Sequence, residues 1–548
     1  MHGLMMDYPL TIPAIVRRAQ SLYGHRPVSG RRQDRRITRT SYAVVLDRVK
    51  RLSVALARLG VRPGDRVATL AWASQEHLEA YLAIPSIGAV LHTLNLRLHP
   101  DDLTYIVNDA RDRVLLVDEC LVPLFEKFRA QTPSIEHVIV IPTSVESGET
   151  TPDQASRDYI DYESLLASAD PQAFTEMPID ENDAAAMCYT SGTTGRPKGV
   201  LYSHRAIVLH SFSQGLVDAL AIRESDVLLP IVPMFHVNAW GLPFTGVMFG
   251  CGQVFPGAYL DGASVLDLIV RERVTLTAGV PTVWLSMLQE LDKEPGRHDL
   301  SALRTIAIGG SAVPPSMLSA YQQRHHVRVV HAWGMTELTP LGTVCNCPAS
   351  LEHAPFEEQL RYRARQGKPL PFVETRAVAD GSEVPWDGQT MGELEVRGPW
   401  VARQYYNVDG PDQRFSDDGW FRTGDVVMIH PDGCVELTDR AKDLVKSGGE
   451  WISSVALENA LMAHPSVAEA AVVAVPHPKW DERPLAVVVL RKDAVATAGE
   501  LREFLAPQFA KWWLPDQIEF ADEIPRTSVG KFKKSVLRDQ FKDAYQNA

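Results

Sequence analysis

Apolar positions along the chain recur first with the period of a helix. In "SYAVVLDRVKRLSVALARLG" (41–60), Tyr42, Leu46, Val49, Leu52, Leu56 and Leu59 fall on one stripe, with Ser41 in the N-cap position and Gly60 closing the end. The turn "RPGD" then leads into "RVATLAWA", and the same order continues through "HLEAYLAIPSIGAVLHTL" and "DRVLLVDE". Short apolar runs bounded by turn residues suit buried parallel strands, and their alternation with helical patterns predicts an α/β fold with helix-covered sheets. The charged run "GRRQDRRITR" reads as a solvated hairpin edge, and the polar stretch 144–158, "SVESGETTPDQASRD", as a surface loop. No internal repeat of fixed period is present.

A second pattern begins late. The alternation in "GCVELTDR" predicts a last strand, after which the chain passes through the polar, glycine-containing "AKDLVKSGGEWISS". A fresh βαβ-like pattern then starts with "SVAEAAVVAV" and "RPLAVVVL". The expectation is a large N-terminal domain of helix-covered β-sheets, residues 1–438, and a small mobile α/β domain, residues 439–548, hinged at Asp439.

Composition narrows the function classes. At 548 residues, 45% hydrophobic and 22% charged, the chain suits a soluble enzyme and is too long for one compact core. Acidic residues outnumber basic ones by 68 to 55, a net charge of -13, so no nucleic-acid footprint is expected. No window reaches the roughly 18 apolar residues of a membrane span. The amino terminus carries no export signal, which makes the cytoplasm the expected location. Of the six cysteines only Cys345 and Cys347 lie close, without the second pair that a zinc site needs.

The chemistry begins at "YTSGTTGRPKGV" (189–200). A Walker A loop ends in Gly-Lys-Ser/Thr at the mouth of a helix, whereas Lys198 follows Pro197 and precedes Gly199, so that motif fails. What remains is five hydroxyls, glycines that allow close backbone approach, and one cation. The loop lies between the strand-like "AAAMC" and the capped helix pattern "SHRAIVLHS". Such a loop can wrap a phosphate chain. Further on, His236 and Trp240 in "HVNAW" share a face only if that segment is helical, and an aromatic pair there suits core packing as well as chemistry.

Six more motifs follow in order: "PMFHVNAW" at 233, "GGSA" at 309, "HAWGMTE" at 331, "RTGD" at 422, "DRAKDLVKSGGEWIS" at 439 and "PRTSVGK" at 525. Together with the loop at 189 they resemble the acyl- and aryl-CoA synthetases grouped with firefly luciferase and peptide-synthetase adenylation domains. "HVNAW" and "KSGGEWISS" look most like bacterial medium- and long-chain fatty acyl-CoA ligases and the related ligase for methylthiopropionate. The resemblance implies two half-reactions. A carboxylic acid and ATP give acyl-AMP and diphosphate, and coenzyme A then displaces AMP to leave a thioester.

The resemblance also implies roles. Thr190, Ser191, Gly192, Thr193, Thr194, Gly195 and Lys198 would hold the ATP phosphates. Gly310, Ser311, Ala312, Trp333 and Gly334 would hold the adenine, and Asp425 the ribose. Thr336 would meet the α-phosphate, Glu337 would hold Mg²⁺, and Arg440 would reach ribose or phosphate. Lys531 would be a mobile lysine bridging the carboxylate and the α-phosphate. Gly448 and Gly449 would pass the pantetheine arm of coenzyme A, His236 would line the carboxylate end, and Trp240 would wall the acyl tunnel. The apolar "WGLPFTGVMFG" and "GVPTVWLSML" disfavour a dicarboxylate or amino-acid substrate. Close relatives imply a homodimer built by the larger domain. Two readings stay open, a stand-alone ligase for fatty or short thioether acids and an adenylation enzyme that loads a carrier protein. A non-catalytic ATP-binding relative is disfavoured, because Lys198, Glu337, Asp425 and Lys531 are all present.

Overall fold

The computed structural model describes residues 1, 3–143, 159–190, 196–408, 410, 412–448, 450–527 and 531–545. The expected surface loop at 144–158 lies outside them. Among the described residues, strands form four sheets. The first has seven strands in the order Tyr159–Asp161, His137–Ile141, Val114–Asp118, Arg66–Leu70, Val90–Thr93, Ala184–Tyr189 and Gly199–Ser203. All its neighbours pair in parallel except the last two strands. The second has nine strands, with a parallel interior running from Arg328–Gly334 to Pro27–Arg31 and antiparallel strands at both edges. The run read as a solvated hairpin edge is one of those edges: Ile37–Ser41 pairs with Pro27–Arg31.

The striped helix forms over Tyr42–Arg58 and buries Tyr42, Leu46, Val49, Leu52 and Leu56, with Leu59 packed on the same cluster. Gly60 takes φ +85° beyond its end. Ser41 has the extended backbone of a cap, but its hydroxyl makes no capping bond, so packing of the apolar stripe holds this helix. The helix Gln75–Ser86 is buried from Glu76 to Ser86. It touches Pro27–Arg31 of the nine-stranded sheet and three strands of the seven-stranded one, and so fills the space between the two layers. A helix enclosed on every side has no need of a polar face. Its two buried carboxylates are both matched: Glu76 by Arg32 at 2.5 Å, and Glu79 by Arg48 at 2.6 Å and by the Tyr162 hydroxyl at 2.6 Å.

A five-stranded antiparallel sheet follows, in which Phe421–Ile429 pairs with Val435–Arg440, the expected last strand. From Val445 onward the chain has hydrophobic cores of its own, around Leu457, Val472 and Val488 on one side of a sheet and Val473, Leu485 and Leu537 on the other. The βαβ expectation for this region is displaced by one strand. Val467–His477 and Asp481–Leu490 pair antiparallel as a hairpin. The three residues between them are too few for the crossover that parallel strands require. The helix comes next, at Ala498–Leu505, and Gln517–Phe520 returns parallel to Asp481–Leu490. Among the described residues no helix is long and apolar enough to cross a membrane.

Candidate active site

A cavity of about 760 Å³ opens where the nine-stranded sheet, the five-stranded sheet and the C-terminal segment meet. Its floor is the loop after Thr305–Ile308 and the end of Arg328–Gly334. Gly310 takes φ +87°. A Cβ on Gly309 would stand 2.8 Å from the Ala332 carbonyl and 3.1 Å from Trp240 Cη2, so only glycine lets this loop lie against both strand and indole. Gly334 and Trp333 line the floor, and the Trp333 indole N–H donates to Asp425 Oδ2 at 2.8 Å. Asp425 is buried and pairs with Arg440 at 3.3 Å, which sets the carboxylate behind Trp333 and the guanidinium in the cavity wall.

The 3₁₀ turn Thr336–Leu338 presents Thr336 and Glu337. The Glu337 carboxylate is buried and accepts the Tyr405 hydroxyl at 2.5 Å. Burial and the neighbouring carboxylate raise the Tyr405 phenol pKa far above its ordinary value, so it remains a donor. Tyr202 donates to the Thr336 carbonyl at 2.8 Å. At the phosphate-loop motif, Thr190 N–H donates to the Lys198 carbonyl at 2.9 Å and Lys198 N–H to Thr190 Oγ1 at 3.1 Å, which pins the two ends together. Ser191, Gly192, Thr193, Thr194 and Gly195 lie outside the described residues. The Lys198 ammonium rests 2.6 Å from Asp412 Oδ2 and 4.5 Å from the centre of the Tyr405 ring.

"HVNAW" takes an unusual form. Val237, Asn238, Ala239 and Trp240 all have φ between +46° and +56°, a left-handed turn rather than the right-handed helix that would put His236 and Trp240 on one face. Left-handed backbone costs about 1–2 kcal/mol per non-glycine residue, and such strain concentrates at functional sites. The turn still brings both His236 and Trp240 to the cavity wall, and the Trp240 carbonyl is held by Gln214 Nε2 at 2.8 Å.

Lys531 enters from the far end of the chain. It lines the cavity above Gly310, where a Cβ would stand 3.6 Å from its Cε. Burial, helped by the Arg440 charge, pulls its ammonium pKa down to about 8. Burial, with the Lys531 charge beside it, also pushes the His236 imidazole well below its usual pKa, so His236 is neutral at pH 7.

Thus Thr190, Lys198, His236, Trp240, Gly310, Trp333, Gly334, Thr336, Glu337, Arg440 and Lys531 share one cavity, with Asp425 directly behind it. Ser311 and Ala312 follow Gly310 without lining it. Asp439 is buried away from the cavity, its carboxylate taken by the Ser454 N–H at 2.7 Å and the Ser454 hydroxyl at 2.5 Å. Gly448, at φ +61°, sits in a hairpin and donates to the Trp480 carbonyl at 2.8 Å. Gly449 is outside the described residues. Three participants escaped the sequence reading: Tyr405, Asp412 and Tyr202. Their partners lie 68, 214 and 134 residues away, and no fixed spacing in the chain announces them.

Among the described residues no three His, Cys, Asp or Glu side chains cluster as a metal cage. A single buried carboxylate in a cavity with room for phosphates does fit Mg²⁺, which binds through one or two carboxylates and the substrate's own oxygens.

Comparison with known proteins adds the decisive observation. The sequence profile described as AMP-binding enzyme matches residues 17–406. The chain belongs to the AMP-binding enzyme family. The profile of the AMP-binding enzyme C-terminal domain matches residues 456–531. Relatives in this family include a long-chain-fatty-acid–CoA ligase of Thermus thermophilus, 48% identical over 99% of this chain and 98% of that protein. A 3-methylmercaptopropionyl-CoA ligase of Ruegeria lacuscaerulensis is 44% identical over 99% of each. A medium-chain-fatty-acid–CoA ligase of Ectopseudomonas oleovorans is 41% identical over 99% of this chain and 98% of that protein. An anthranilate CoA ligase solved with anthranoyl-AMP superposes with a TM-score of 0.86 at 26% identity, covering 98% of this chain and 99% of the other.

Proposed function

We propose that this AMP-binding enzyme is an ATP-dependent acyl-CoA ligase acting on a medium- to long-chain carboxylic acid through an acyl-adenylate. The observation that carries the reading is the convergence of Lys531, Lys198, His236 and Glu337 on one cavity whose neighbouring wall is apolar: Val237, Trp240, Ala332, Pro340 and Leu341. The chemistry needs charge management more than acid–base catalysis, because a carboxylate is already ionised at pH 7 and AMP is a good leaving group. In this reading Lys531 steadies the attacking carboxylate and the α-phosphate oxygens, with Thr336 beside it. Lys198 leaves Asp412 for the outer phosphates. Asp425 and Arg440 take the ribose, with Trp333 and Gly310 against the adenine. Neutral His236 packs at the carboxylate end without adding charge, and Trp240 walls the acyl chain. Glu337 would hold Mg²⁺, which when bound neutralises phosphate charge.

The second half-reaction calls for a lid. Residues 439–548 are proposed to swing about Asp439, replacing Lys531 with Gly448 and Gly449 so that the coenzyme A thiol reaches the adenylate. Separate hydrophobic cores on either side of this junction support the division. The expected cytoplasmic homodimer is kept as part of the proposal, and sedimentation tests its stoichiometry. The test of function is a panel of acids from acetate to palmitate, with methylthiopropionate included, assayed for AMP release that depends on coenzyme A. Release without coenzyme A consumption would favour a carrier-loading enzyme, and release confined to the shortest acids would move the substrate class towards methylthiopropionate.

A further inference from the structure

The loop that delivers Lys531 ends in a second buried ammonium. Lys534, three residues on, opens the helix Lys534–Phe541, and its side chain is only 11% exposed. Its Nζ lies 2.6 Å from Glu458 Oε1 and donates to Ser454 Oγ at 2.6 Å. Ser454 Oγ donates in turn to Asp439 Oδ2 at 2.5 Å, and Glu458 Oε1 also accepts the Val472 N–H at 2.7 Å. Asp439 Oδ1 is capped by the Arg440 N–H at 2.8 Å, and Arg440 pairs with Asp425 in the cavity wall. Burial alone would lower the Lys534 pKa, but Glu458 and Asp439 outweigh it and raise it, so the ammonium stays charged.

The described part of the Lys531 loop is braced internally. Thr527 N–H donates to the Lys531 carbonyl at 2.7 Å, Lys531 N–H to Thr527 Oγ1 at 3.1 Å, and Lys533 N–H to the Pro525 carbonyl at 2.7 Å. A piece braced in this way moves as a unit, so its aim is set at its base. Two anchors stand there. One is the Arg526–Glu469 ion pair at 2.5 Å on the incoming segment, and the other is Lys534 at the start of the outgoing helix. Only the second leads to the junction residue Asp439.

We infer that Lys534 is a positioning residue for adenylation, its ammonium tying the Lys531 loop through Ser454 to the carboxylate of Asp439, with Glu458 as the buried counter-charge. A buried ion cluster adds less stability than an apolar group of the same volume, but its directional bonds define one arrangement. The Asp439 carboxylate serves both the junction and the loop, so the loop's aim and the junction's conformation are set by the same bonds. The inference rests on the ligase reading.

The test uses the full-length protein with octanoate, or the acid of the panel that the wild type uses fastest, and its synthetic adenylate. Lys534→Met removes the charge, and Lys534→Met/Glu458→Gln removes both charges so that neither is buried alone. Acid-dependent diphosphate release should fall about 100-fold in both variants, the cost of aiming a reacting group about 1 Å astray. Thioester formation from supplied adenylate should stay near wild type. Equal loss in both halves, as partial unfolding would give, overturns the inference, and so does unchanged diphosphate release. A wild type that forms no adenylate from any acid overturns the ligase reading itself. A competent wild type with indifferent Lys534 variants removes only the positioning role.

Discussion

Tyr405 offers the sharpest perturbation, because one oxygen separates it from phenylalanine. Its hydroxyl donates to Glu337 at 2.5 Å from a buried position, while its ring faces the Lys198 ammonium at 4.5 Å and meets Phe415 edge-on at 5.6 Å. Tyr405→Phe keeps both ring contacts and deletes only the bond that fixes the carboxylate proposed to hold Mg²⁺. A hydrogen bond to a charged partner is worth about 1.5–3 kcal/mol. At about 1.36 kcal/mol per tenfold in rate, adenylation should slow by about 10- to 150-fold, with the Mg²⁺ titration displaced to higher concentration. The assay is acid-dependent diphosphate release across a Mg²⁺ series, with conversion of supplied adenylate and the thermal midpoint as controls for folding. Wild-type release with an unmoved Mg²⁺ midpoint would remove Glu337 and its tyrosine from the metal and phosphate chemistry.

Trp240→Ala should open the proposed acyl wall and move preference towards longer or bulkier acids, each methylene position changing discrimination by about 1–3 kcal/mol; equal loss across the acid panel would return Trp240 to a packing role. With the Lys531 pKa pulled down to about 8, the ammonium proposed to serve adenylation is present below that pH and lost above it, so kcat/KM for adenylation should fall on the alkaline side. Conversion of supplied adenylate should lack this limb, and a profile flat through pH 8 for adenylation contradicts the role. Gly448 stands at φ +61° with a Cβ position 3.0 Å from the Trp480 ring, so Gly448→Ala should strain the hairpin and slow the thioester step while diphosphate release persists. Loss of diphosphate release alone would argue against this hairpin serving coenzyme A.

Much of this molecule is local and could be read from the chain. The stripe from Tyr42 to Leu59, the strand "VLLVD" and the edge hairpin at 27–41 follow from periodicity and turn chemistry, because burial of a helix face or a strand is decided by residues a few positions apart. The ordered motifs, through the family they resemble, likewise single out Lys198, Glu337, Asp425 and Lys531 from the sequence. Direction of strand pairing was harder to read: the apolar runs at 467–475 and 485–490 look the same in a parallel or an antiparallel pair, and only the three-residue connection made them a hairpin. The left-handed turn at 237–240 was invisible because its residues are not the glycines that usually mark positive φ. Tyr405 on Glu337, Asp412 on Lys198 and Lys534 joined through Ser454 to Asp439 were decided by tertiary structure alone. Except for the Ser454–Asp439 bond, these contacts close over 68 to 214 residues of chain, and a hydrogen bond of 2.5–2.6 Å depends on where two separately formed elements come to rest, which no local pattern encodes.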